Sequence, residues 1–557
     1  MSFNMPFQLP FLRRPVDIIS HLKNKAGEMT YGSFLYDWSL TETPPERLST
    51  KPADPWKGDS QKGQELLDAA DVGSEDERTG PQWFSPWWSP DDTDEIWMTH
   101  MHSFLWLRDL RALGGPVARE QGRVMIENWI ETYKNWNAAT WRSDLTGERI
   151  SMWIAHYDYF IAGNDDAFIE NFMTSINKQA KHLHNTLGDP RDPGYFSAIK
   201  GLLYAGLALE HETWTRQALC SLENTVEKQI LADGGHVSRS PAILLGILET
   251  LVEINSALSA GGLDIPEFLE DSIQNASAVI RFFRHGDRRF ALFHSTQEGN
   301  STQMDAILSQ AGLRGKARYS LPYSGFERAS LGRSLLIMDI GRSPEHGLDT
   351  KTHASPLAFE FSYGKNRIFT SCGTHPSNKN WQEALRFTNG HNTACLDHRN
   401  ACELKADGHF GRKVTEFSLK REETKEAILL KANHNGYMPL NGIIHERSIY
   451  MGDEGHDLRG EDNFTSEITL VHPIEGALRF HLHPSVKVSL INDDQEALLR
   501  IPDGSGWRFS FSAGMLELED SLYMGQGVTP RKTKQLVIRG TMQNAQSSIK
   551  WALKREG

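Results

Sequence analysis

The spacing of apolar residues changes along this chain of 557 residues, and that change limits the folds open to it. From about residue 95 to 285 the spacing is helical: Trp97, Met101, Phe104 and Leu105 fall near positions i, i+4, i+7 and i+8. From about residue 325 onward the apolar period is two, as in the segment 334–339. The sequence therefore predicts an α+β multidomain protein with helices first and antiparallel strands afterwards.

Glycine, proline, aspartate or asparagine marks most of the gaps between the predicted helices. The first helix stops at Gly114-Gly115-Pro116. The later helices are predicted over residues 117–136, 148–161, 166–187, 195–209, 212–231, 241–260 and 266–283. Paired helices of such similar length can curl into an open ring, and a helical solenoid is the structural alternative.

The second half of the chain is predicted to be an antiparallel sandwich, because short alternating strands are joined by Gly, Asp and Asn turns. Strands are predicted over residues 334–339, 427–431, 447–451, 464–471, 477–483, 486–491 and 535–539. A chain of this length needs at least two domains. The predicted division is an extended or irregular N-terminal segment (1–94), a helical domain (95–285), a linker (286–325) and the sandwich (326–557).

Composition excludes several classes of function. The net charge of -13 argues against a general binder of nucleic acids or membrane surfaces. No apolar run is long enough to span a membrane, so membrane insertion is not predicted. The N-terminus lacks the pattern of a signal peptide, which favours the cytoplasm. The four cysteines form no CxxC pair; buried free thiols are predicted, although a disulfide among Cys372, Cys395 and Cys402 is the alternative.

The segment 353–393 is the richest in side chains suited to chemistry. Two strands joined by a turn at 363–366 lead into a loop of Gly, His, Asn and Trp, which ends with the residues RFTNGHNT at 386–393. A hairpin holds such a loop rigid, so that its polar side chains can face a ligand. Histidines, an arginine and a tryptophan at one sheet end suit an acidic sugar.

This segment resembles the heparinase II/III-like family of polysaccharide lyases. A second resemblance is DGGHVSRSP at 233–241, similar to a signature of the family's helical domain, and a third is NHNGY at 433–437 followed by HER at 445–447. The resemblance implies an incomplete (α/α) toroid, then a sandwich, with an acidic polysaccharide in the cleft between them. It also implies export to the periplasm or cell envelope, against the missing signal peptide.

The resemblance implies β-elimination, which needs a group to neutralise the uronate carboxylate, a base for the C5 proton and an acid for the leaving oxygen. Arg or Asn suits the first task, and His or Tyr the others. No organic cofactor is required. This chain departs from the family after RSP, where catalytic members usually carry an aromatic residue and histidine; here Ala242-Ile243 stands instead.

The resemblance also raises the question of zinc. His353 and His391 match two family ligands, but Ser371 stands where an aspartate is expected. Because two ligands rarely hold zinc, we predict that the chain uses no metal and no other cofactor.

Ten residues are the candidates for the site. The catalytic candidates are His391, His353, Tyr437 and His236. The substrate-binding candidates are Arg239, Arg386, His434, Arg149, Trp153 and Tyr204. Each has a structural alternative, such as a salt bridge that holds the turn for Arg239, a loop-bracing histidine for His391 and a core tyrosine for Tyr437.

The sequence thus favours a carbon–oxygen lyase that cleaves an acidic, uronate-containing polysaccharide. Two alternatives remain: a catalytically altered relative that binds envelope glycans, and a glycoside hydrolase on the same scaffold. A hydrolase needs two carboxylates across the cleft. Glu148, Glu210 and Asp233 are available for that role.

Overall fold

The computed structural model describes residues 29–71, 88, 95–161, 166–312, 317–466, 468–470 and 472–556. The chain forms two compact units. One comprises residues 1–221 and 256–263, and the other comprises residues 222–255 and 264–557. Helices dominate the first half of the chain and antiparallel strands the second, as the change of period predicts.

Helices make up most of the described chain before the first strand. They are Phe34–Leu40, Ser60–Asp71, Glu95–Ser103, Leu107–Leu113, Gly115–Thr132, Ser143–Ala155, Tyr157–Ile161, Asp166–Thr186, Tyr195–Ala208, Glu212–Gln229, Pro241–Ala260, Glu267–Phe282 and Ser301–Gln310. Two of them lie in the segment that was predicted to be extended or irregular, and Ser301–Gln310 lies inside the predicted linker.

Local sequence explains most helix ends. Gly114, with φ +74°, caps the helix Leu107–Leu113, and Pro116 sits in the first turn of the next. The predicted helix 148–161 is wrong as one element, because it breaks at His156, whose ψ of 8° leaves the helical range. The His156 ring then contacts the Met152 carbonyl, 2.9 Å from its Nδ1.

One described helix, Pro241–Ala260, has the length and apolar composition of a membrane span. Just over half of its most apolar window, 56%, is buried inside the protein. A helix in a protein core has the same composition, so this is weak support for a span.

The strands are numbered β1 to β17 along the described chain. They are β1 Ser320–Leu321, β2 Phe326–Leu331, β3 Ser334–Asp339, β4 Phe359–Tyr363, β5 Asn366–Phe369, β6 Ala394–Leu396, β7 Phe417–Glu423, β8 Ile428–Tyr437, β9 Ile443–Gly452, β10 Asp457–Ser466, β11 Ile474–His481, β12 Lys487–Ile491, β13 Glu496–Arg500, β14 Gly506–Phe511, β15 Met515–Tyr523, β16 Arg531–Met542 and β17 Gln546–Glu556. Short helices at Lys379–Ala384 and Met438–Asn441 interrupt them.

Among the described residues these strands form three antiparallel sheets. The five-stranded sheet has the order β1-β2-β3-β4-β5, and the four-stranded sheet β15-β16-β11-β6. The eight-stranded sheet has the order β12-β13-β14-β17-β10-β9-β8-β7. One apolar cluster joins all three sheets, with Phe359, Phe480 and Trp551 among its members. The Phe359 and Trp551 rings stack 5.5 Å apart.

The prediction of a strand over 464–471 is wrong in its bounds, because β10 ends at Ser466. The inward positions of β10 include Gly460 and Asp462, and neither gives an apolar signal. The predicted hairpin at 363–366 is present, since β4 pairs with β5 across it.

Candidate functional site

The turn 233–241 is held against the start of the strand region by two of its polar side chains, Asp233 and Arg239. Asp233 accepts hydrogen bonds from the backbone amides of Tyr323 and Ser324, at 2.8 and 2.7 Å. Arg239 donates to the carbonyls of Ser324 (2.7 Å) and Gly325 (3.0 Å) and pairs with Asp339. The guanidinium of Arg239 also lies over the Phe326 ring. The Arg239 side chain is therefore held by protein groups, and the residue is only 7% exposed.

Asp339, at the end of β3, connects the turn to a buried histidine. Its second oxygen lies 3.2 Å from Nε2 of His294. Burial opposes ionisation of this carboxyl, but Arg239 and His294 outweigh it and lower its pKa to about 2. Asp339 is thus a carboxylate that balances the charge of Arg239.

Three histidine rings follow one another from this carboxylate. The backbone amide of His353 donates to Nδ1 of His294 at 3.1 Å, and the two ring centroids are 5.6 Å apart. The rings of His353 and His391 are closer, with centroids 4.5 Å apart. We call His294, His353 and His391 the histidine cluster. Through it the structure brings together the two sequence motifs that carry Arg239 and His391.

The partners of the histidine cluster fix its proton positions. Nε2 of His353 accepts from the Ser295 amide at 2.7 Å, so its proton sits on Nδ1. Nε2 of His391 lies 3.1 Å from the Leu385 carbonyl, so the proton sits on Nε2. The two Nδ1 atoms are buried and have no hydrogen-bond partner among the described residues. They are the polar atoms of the cluster that remain available to a ligand or water.

Burial keeps these histidines uncharged at neutral pH. It lowers the pKa of His391 to about 3, with His481 and His294 adding to the effect. Burial and the neighbouring His391 lower the pKa of His353. His353 is 4% exposed and His391 is 0% exposed. A proton-transfer group works best with a pKa near the working pH, so both rings are weak bases here.

His236 lies in the same region but is bonded within its own turn. Its Nδ1 lies 2.6 Å from the Ser238 hydroxyl and its Nε2 lies 2.8 Å from the Gln229 amide oxygen. Burial lowers its pKa to about 3. The Thr352 hydroxyl donates to the Ser238 carbonyl at 3.3 Å, which ties this turn to the residue before His353.

His434 and Tyr437 belong to a second buried network, on β8. The His434 ring lies 3.2 Å from Nδ1 of His445, and His445 lies 2.7 Å from Asp462. The phenol of Tyr437 donates to the Ala394 carbonyl at 2.8 Å. Burial raises the pKa of Tyr437 well above its usual range and lowers that of His434. These groups have packed, internal partners.

Arg386 holds three loops together. It donates to the carbonyls of Thr352 (2.8 Å), Gly408 (2.7 Å) and Asp349 (2.8 Å). The geometry supports a positioning role for this arginine, since it is 3% exposed.

Arg149, Trp153 and Tyr204 lie in the other compact unit and are buried within it. Arg149 donates to Gln179 (2.7 Å) and to the His102 carbonyl (2.9 Å), and its guanidinium lies 4.0 Å from the Trp129 ring centroid. Trp153 packs edge-on against Phe104 and Trp129. Their assignment to substrate binding stays a prediction.

Sequence reasoning missed His294 and Asp339. His294 lies in the predicted linker and Asp339 closes a strand, and neither belongs to a motif. A lone buried histidine or aspartate carries no spacing signal, so only the tertiary contact shows that they join the cluster.

His353 and His391, which match two zinc ligands of the family, have few further ligand groups beside them in the described chain. The hydroxyls of Ser371 and Ser355 are buried and have no hydrogen-bond partner in the described chain. No described carboxylate or thiol joins His353 and His391 in a group of three ligands. Two imidazoles are too few for a structural zinc.

A polar rim lies at the surface beside the histidine cluster. We define the rim as Lys351, Lys379, Trp381 and Gln382. Lys351 accepts a hydrogen bond at its carbonyl from Ser295 (2.8 Å), the residue bonded to His353, and its ammonium donates to Gln382 at 3.4 Å. Trp381 is partly buried against Leu385 and Met524, while both lysines are exposed.

Comparison with known proteins places this geometry in a family. The profile of the heparinase II/III N-terminus matches residues 116–312, and the heparinase II/III-like C-terminal profile matches residues 313–552. The boundary between them falls within the predicted linker 286–325.

Two curated relatives and one solved structure are similar to the chain. FtsZ-localized protein C of Caulobacter vibrioides is 28% identical over 95% of this chain and 94% of its own length. Heparin-sulfate lyase of Bacteroides thetaiotaomicron is 22% identical over 36% of this chain and 30% of its own. A mutant heparan sulfate lyase, HepC from Pedobacter heparinus, has a TM-score of 0.68 at 15% identity, covering 96% of this chain and 90% of that one.

The structural likeness confirms the predicted incomplete (α/α) toroid followed by an antiparallel β-sandwich. The scaffold is that of a polysaccharide lyase. With both profiles matched in order along most of its length, the chain belongs to the heparinase II/III-like family.

Proposed function

We propose that this protein binds an acidic polysaccharide without cleaving it by β-elimination. The observation that carries the proposal is the state of the predicted proton-transfer groups. His391, His353, His236 and Tyr437 are buried, and burial moves the pKa of each away from neutrality. Ala242 stands where catalytic relatives carry an aromatic residue.

The binding half of the proposal rests on the rim. Lys351 and Lys379 supply positive charge, which pairs with a sugar carboxylate. Trp381 supplies a flat apolar face, on which the C–H face of a pyranose packs. The Gln382 amide holds the rim in place, because it donates to the carbonyls of His375 (2.9 Å) and Pro376 (3.0 Å). The same fold in solved lyases supports a polysaccharide as the ligand class.

The other sequence-based functions are less well supported. Cleavage by β-elimination stays a prediction. It needs a base of near-neutral pKa, and burial lowers the pKa of His391, His353 and His236 away from that range. Hydrolysis needs two available carboxylates. Glu148 accepts from Ser197 and Lys200, at 2.6 and 2.7 Å, and Asp233 is fully engaged by backbone amides and the Ser324 hydroxyl.

We also propose that His353 and His391 act without zinc, because no third ligand accompanies them among the residues that the structure describes.

A panel of glycosaminoglycans, alginate and bacterial acidic polysaccharides tests the function. We expect saturable binding by calorimetry and no rise in absorbance at the band of unsaturated uronates. Lys351→Ala is expected to weaken binding. Lys487→Ala, which removes an exposed lysine on β12, is the matched control and should bind as the wild type does.

Three outcomes contradict the proposal or its placement on the rim. Rising absorbance that is lost in His391→Ala means that the protein is a lyase after all. New reducing ends without that absorbance mean hydrolysis. Equal binding by both lysine variants would move the ligand away from the rim.

A second candidate function comes from the full-length relative. Similarity to FtsZ-localized protein C extends over 95% of this chain, far more than the 36% shared with the heparin-sulfate lyase. We infer that this chain also localises with FtsZ. A fluorescent fusion expressed in Caulobacter vibrioides should coincide with labelled FtsZ, whereas a uniform distribution like that of the fluorescent protein alone contradicts the inference.

A further inference from the structure

Three metal-ligating side chains meet in the sandwich unit outside the histidine cluster. His346 and Asp349 lie on the connection between β3 and β4, and His409 lies on a small hairpin after β6. Their candidate ligand atoms are all within 4.8 Å of one another. Nδ1 of His409 lies 2.6 Å from Oδ1 of Asp349, and the two imidazole centroids are 4.2 Å apart.

The backbone around these residues is fixed before any ion binds. The hairpin is closed by the bridge between Leu404 and Phe410 and by the Lys405 amide, which donates to the His409 carbonyl at 2.9 Å. Oδ2 of Asp349 accepts from the Phe410 amide at 2.9 Å, which leaves its Oδ1 turned to His409. The connection that bears Asp349 is thereby fastened to the hairpin that bears His409.

Arg386 donates hydrogen bonds to the backbone of both loops that carry these ligands. It donates to the carbonyl of Asp349 at 2.8 Å and to that of Gly408, the residue before His409, at 2.7 Å. Groups that orient the ligands from outside strengthen metal binding, because the ligand side chains then lose less conformational entropy when the ion binds. The role of Arg386 in the fold thus gives this cluster its rigidity.

We propose that His346, Asp349 and His409 bind a zinc ion. Two imidazole nitrogens and one carboxylate oxygen form a ligand set that zinc accepts, with water in the fourth tetrahedral position. Bonds of about 2.0–2.2 Å place tetrahedral ligand atoms about 3.3 Å apart. That separation lies between the 2.6 Å of the Asp349–His409 contact and the 4.8 Å limit of the group, so small movements suffice.

Exposure of the three residues suits an ion that enters from solvent. The Asp349 side chain is 1% exposed and that of His409 is 22% exposed, while His346 lies on the open side of the site. The zinc would join the exposed 346 turn to the hairpin and would leave one coordination position to water. The sequence predicts no metal anywhere in this chain, an expectation that rests on His353 and His391. The zinc site proposed here is separate from those two histidines and departs from that expectation.

Zinc titration of the untagged, metal-free, full-length protein tests the proposal. Calorimetry, with a chromophoric chelator as competitor, should give one zinc ion per chain. His346→Ala and His409→Ala should weaken binding by about 100-fold or more, since losing even a group that only supports a ligand costs about 10- to 100-fold. His346→Ala removes an exposed side chain, so the fold is kept.

His398→Ala is the matched control. His398 is an exposed histidine whose Nε2 lies 3.3 Å from the Glu475 carboxylate, but in the described part of the chain no third ligand accompanies this pair. Its loss should leave zinc affinity unchanged. Zinc should also raise the Tm of the wild type and of His398→Ala, but not that of His346→Ala.

Two further variants and one spectrum separate the alternatives. His391→Gln should bind zinc as the wild type does; loss of binding there, with His346→Ala unaffected, would overturn the proposal in favour of the buried histidines. Cobalt substitution should give the visible absorption of a tetrahedral site without a thiolate charge-transfer band. A thiolate band, or zinc bound equally by His346→Ala and His409→Ala, would equally overturn it.

Discussion

Buried histidines dominate this protein at the scale of single residues, and their titration should govern its stability in acid. Burial lowers the pKa of His391 and His236 to about 3, whereas a histidine of the unfolded chain titrates near 6.5. Between these values the unfolded chain binds more protons than the folded chain. Stability therefore falls as the pH drops through that window, by about 1.4 kcal/mol per pH unit for each such histidine.

Urea unfolding from about pH 7 to about pH 4.5 measures this slope. His391→Gln removes one of the histidines, so its free energy of unfolding should depend less steeply on pH. His398→Gln replaces an exposed histidine and should keep the slope of the wild type. A profile for His391→Gln as steep as that of the wild type would show that His391 does not stay uncharged in the folded protein.

The carboxylate of Asp462 is the other single residue on which stability should depend. It lies 2.7 Å from both His445 Nε2 and Arg447 Nε, and it accepts from Trp551 at 2.9 Å. Asp462→Asn leaves a buried arginine without its counter-charge. We expect a loss of about 3–5 kcal/mol in the free energy of unfolding at neutral pH.

The control for this prediction is Asp520→Asn. Asp520 also pairs with a cation, Lys534, at 2.6 Å, but on the surface, where solvent screens the pair. Its urea midpoint should match that of the wild type. If Asp462→Asn unfolds at the same midpoint as Asp520→Asn, the buried network does not contribute as described.

Motif reasoning found part of the histidine cluster and could not find the rest. Arg239 and His391 lie in separate motifs, and the family resemblance implies that both face one cleft. The groups that connect them, His294 and Asp339, belong to no motif. Whether a histidine lies in an open site or a closed core depends on what packs over it, and spacing along the chain does not carry that information.

Among elements, helix ends were more predictable than strand ends. Pro241 opens a helix and Gly114 closes one, because proline fits a first turn and glycine adopts positive φ at little cost. The bounds predicted for strand β10 were wrong because Gly460 and Asp462 occupy inward positions where an apolar pattern was expected. Asp462 is tolerated there only because Arg447, His445 and Trp551 satisfy it, and these contacts come from β9 and β17.

The close approach of the 233–241 turn to the helix Glu267–Phe282 gives a test at this scale. Gly234 has φ +84°, and a Cβ added there would lie 2.6 Å from the Asn275 carbonyl carbon. Gly234→Ala should therefore lower the free energy of unfolding by more than about 1–2 kcal/mol, which is the cost of a left-handed backbone alone. Chemical denaturation of the variant measures the loss.

Gly262→Ala separates the two contributions. Gly262 also has positive φ, +66°, but an added Cβ would meet nothing within 4 Å. Gly262→Ala should lower the free energy of unfolding only by the cost of the left-handed backbone. Equal losses in the two variants would mean that the turn moves away from the helix without cost, and that the position of Arg239 is not fixed by this contact.

For the whole molecule, the fold and the activity are specified by different parts of the sequence. The architecture matches that of a heparan sulfate lyase at 15% identity, because the periods of apolar residues and the turn positions are compatible with many sequences. Elimination depends on a few side chains at fixed places. This chain keeps the RSP turn and changes the next two residues to Ala242-Ile243.

If the missing aromatic residue and histidine are what separate this protein from its catalytic relatives, restoring them should create a lyase. Ala242 is exposed in the first turn of the helix Pro241–Ala260, so a larger side chain fits there, while its backbone amide donates to the Thr296 hydroxyl at 3.2 Å. Ala242→Tyr with Ile243→His should produce unsaturated uronate from the polysaccharide that the wild type binds. Ala242→Phe with Ile243→His, which lacks only the phenol, should bind that polysaccharide and release no product. If the phenylalanine variant forms product, proton transfer belongs to a group other than the phenol. If neither variant forms product although both bind the polysaccharide, then the buried histidines as well as position 242 keep this scaffold from catalysis.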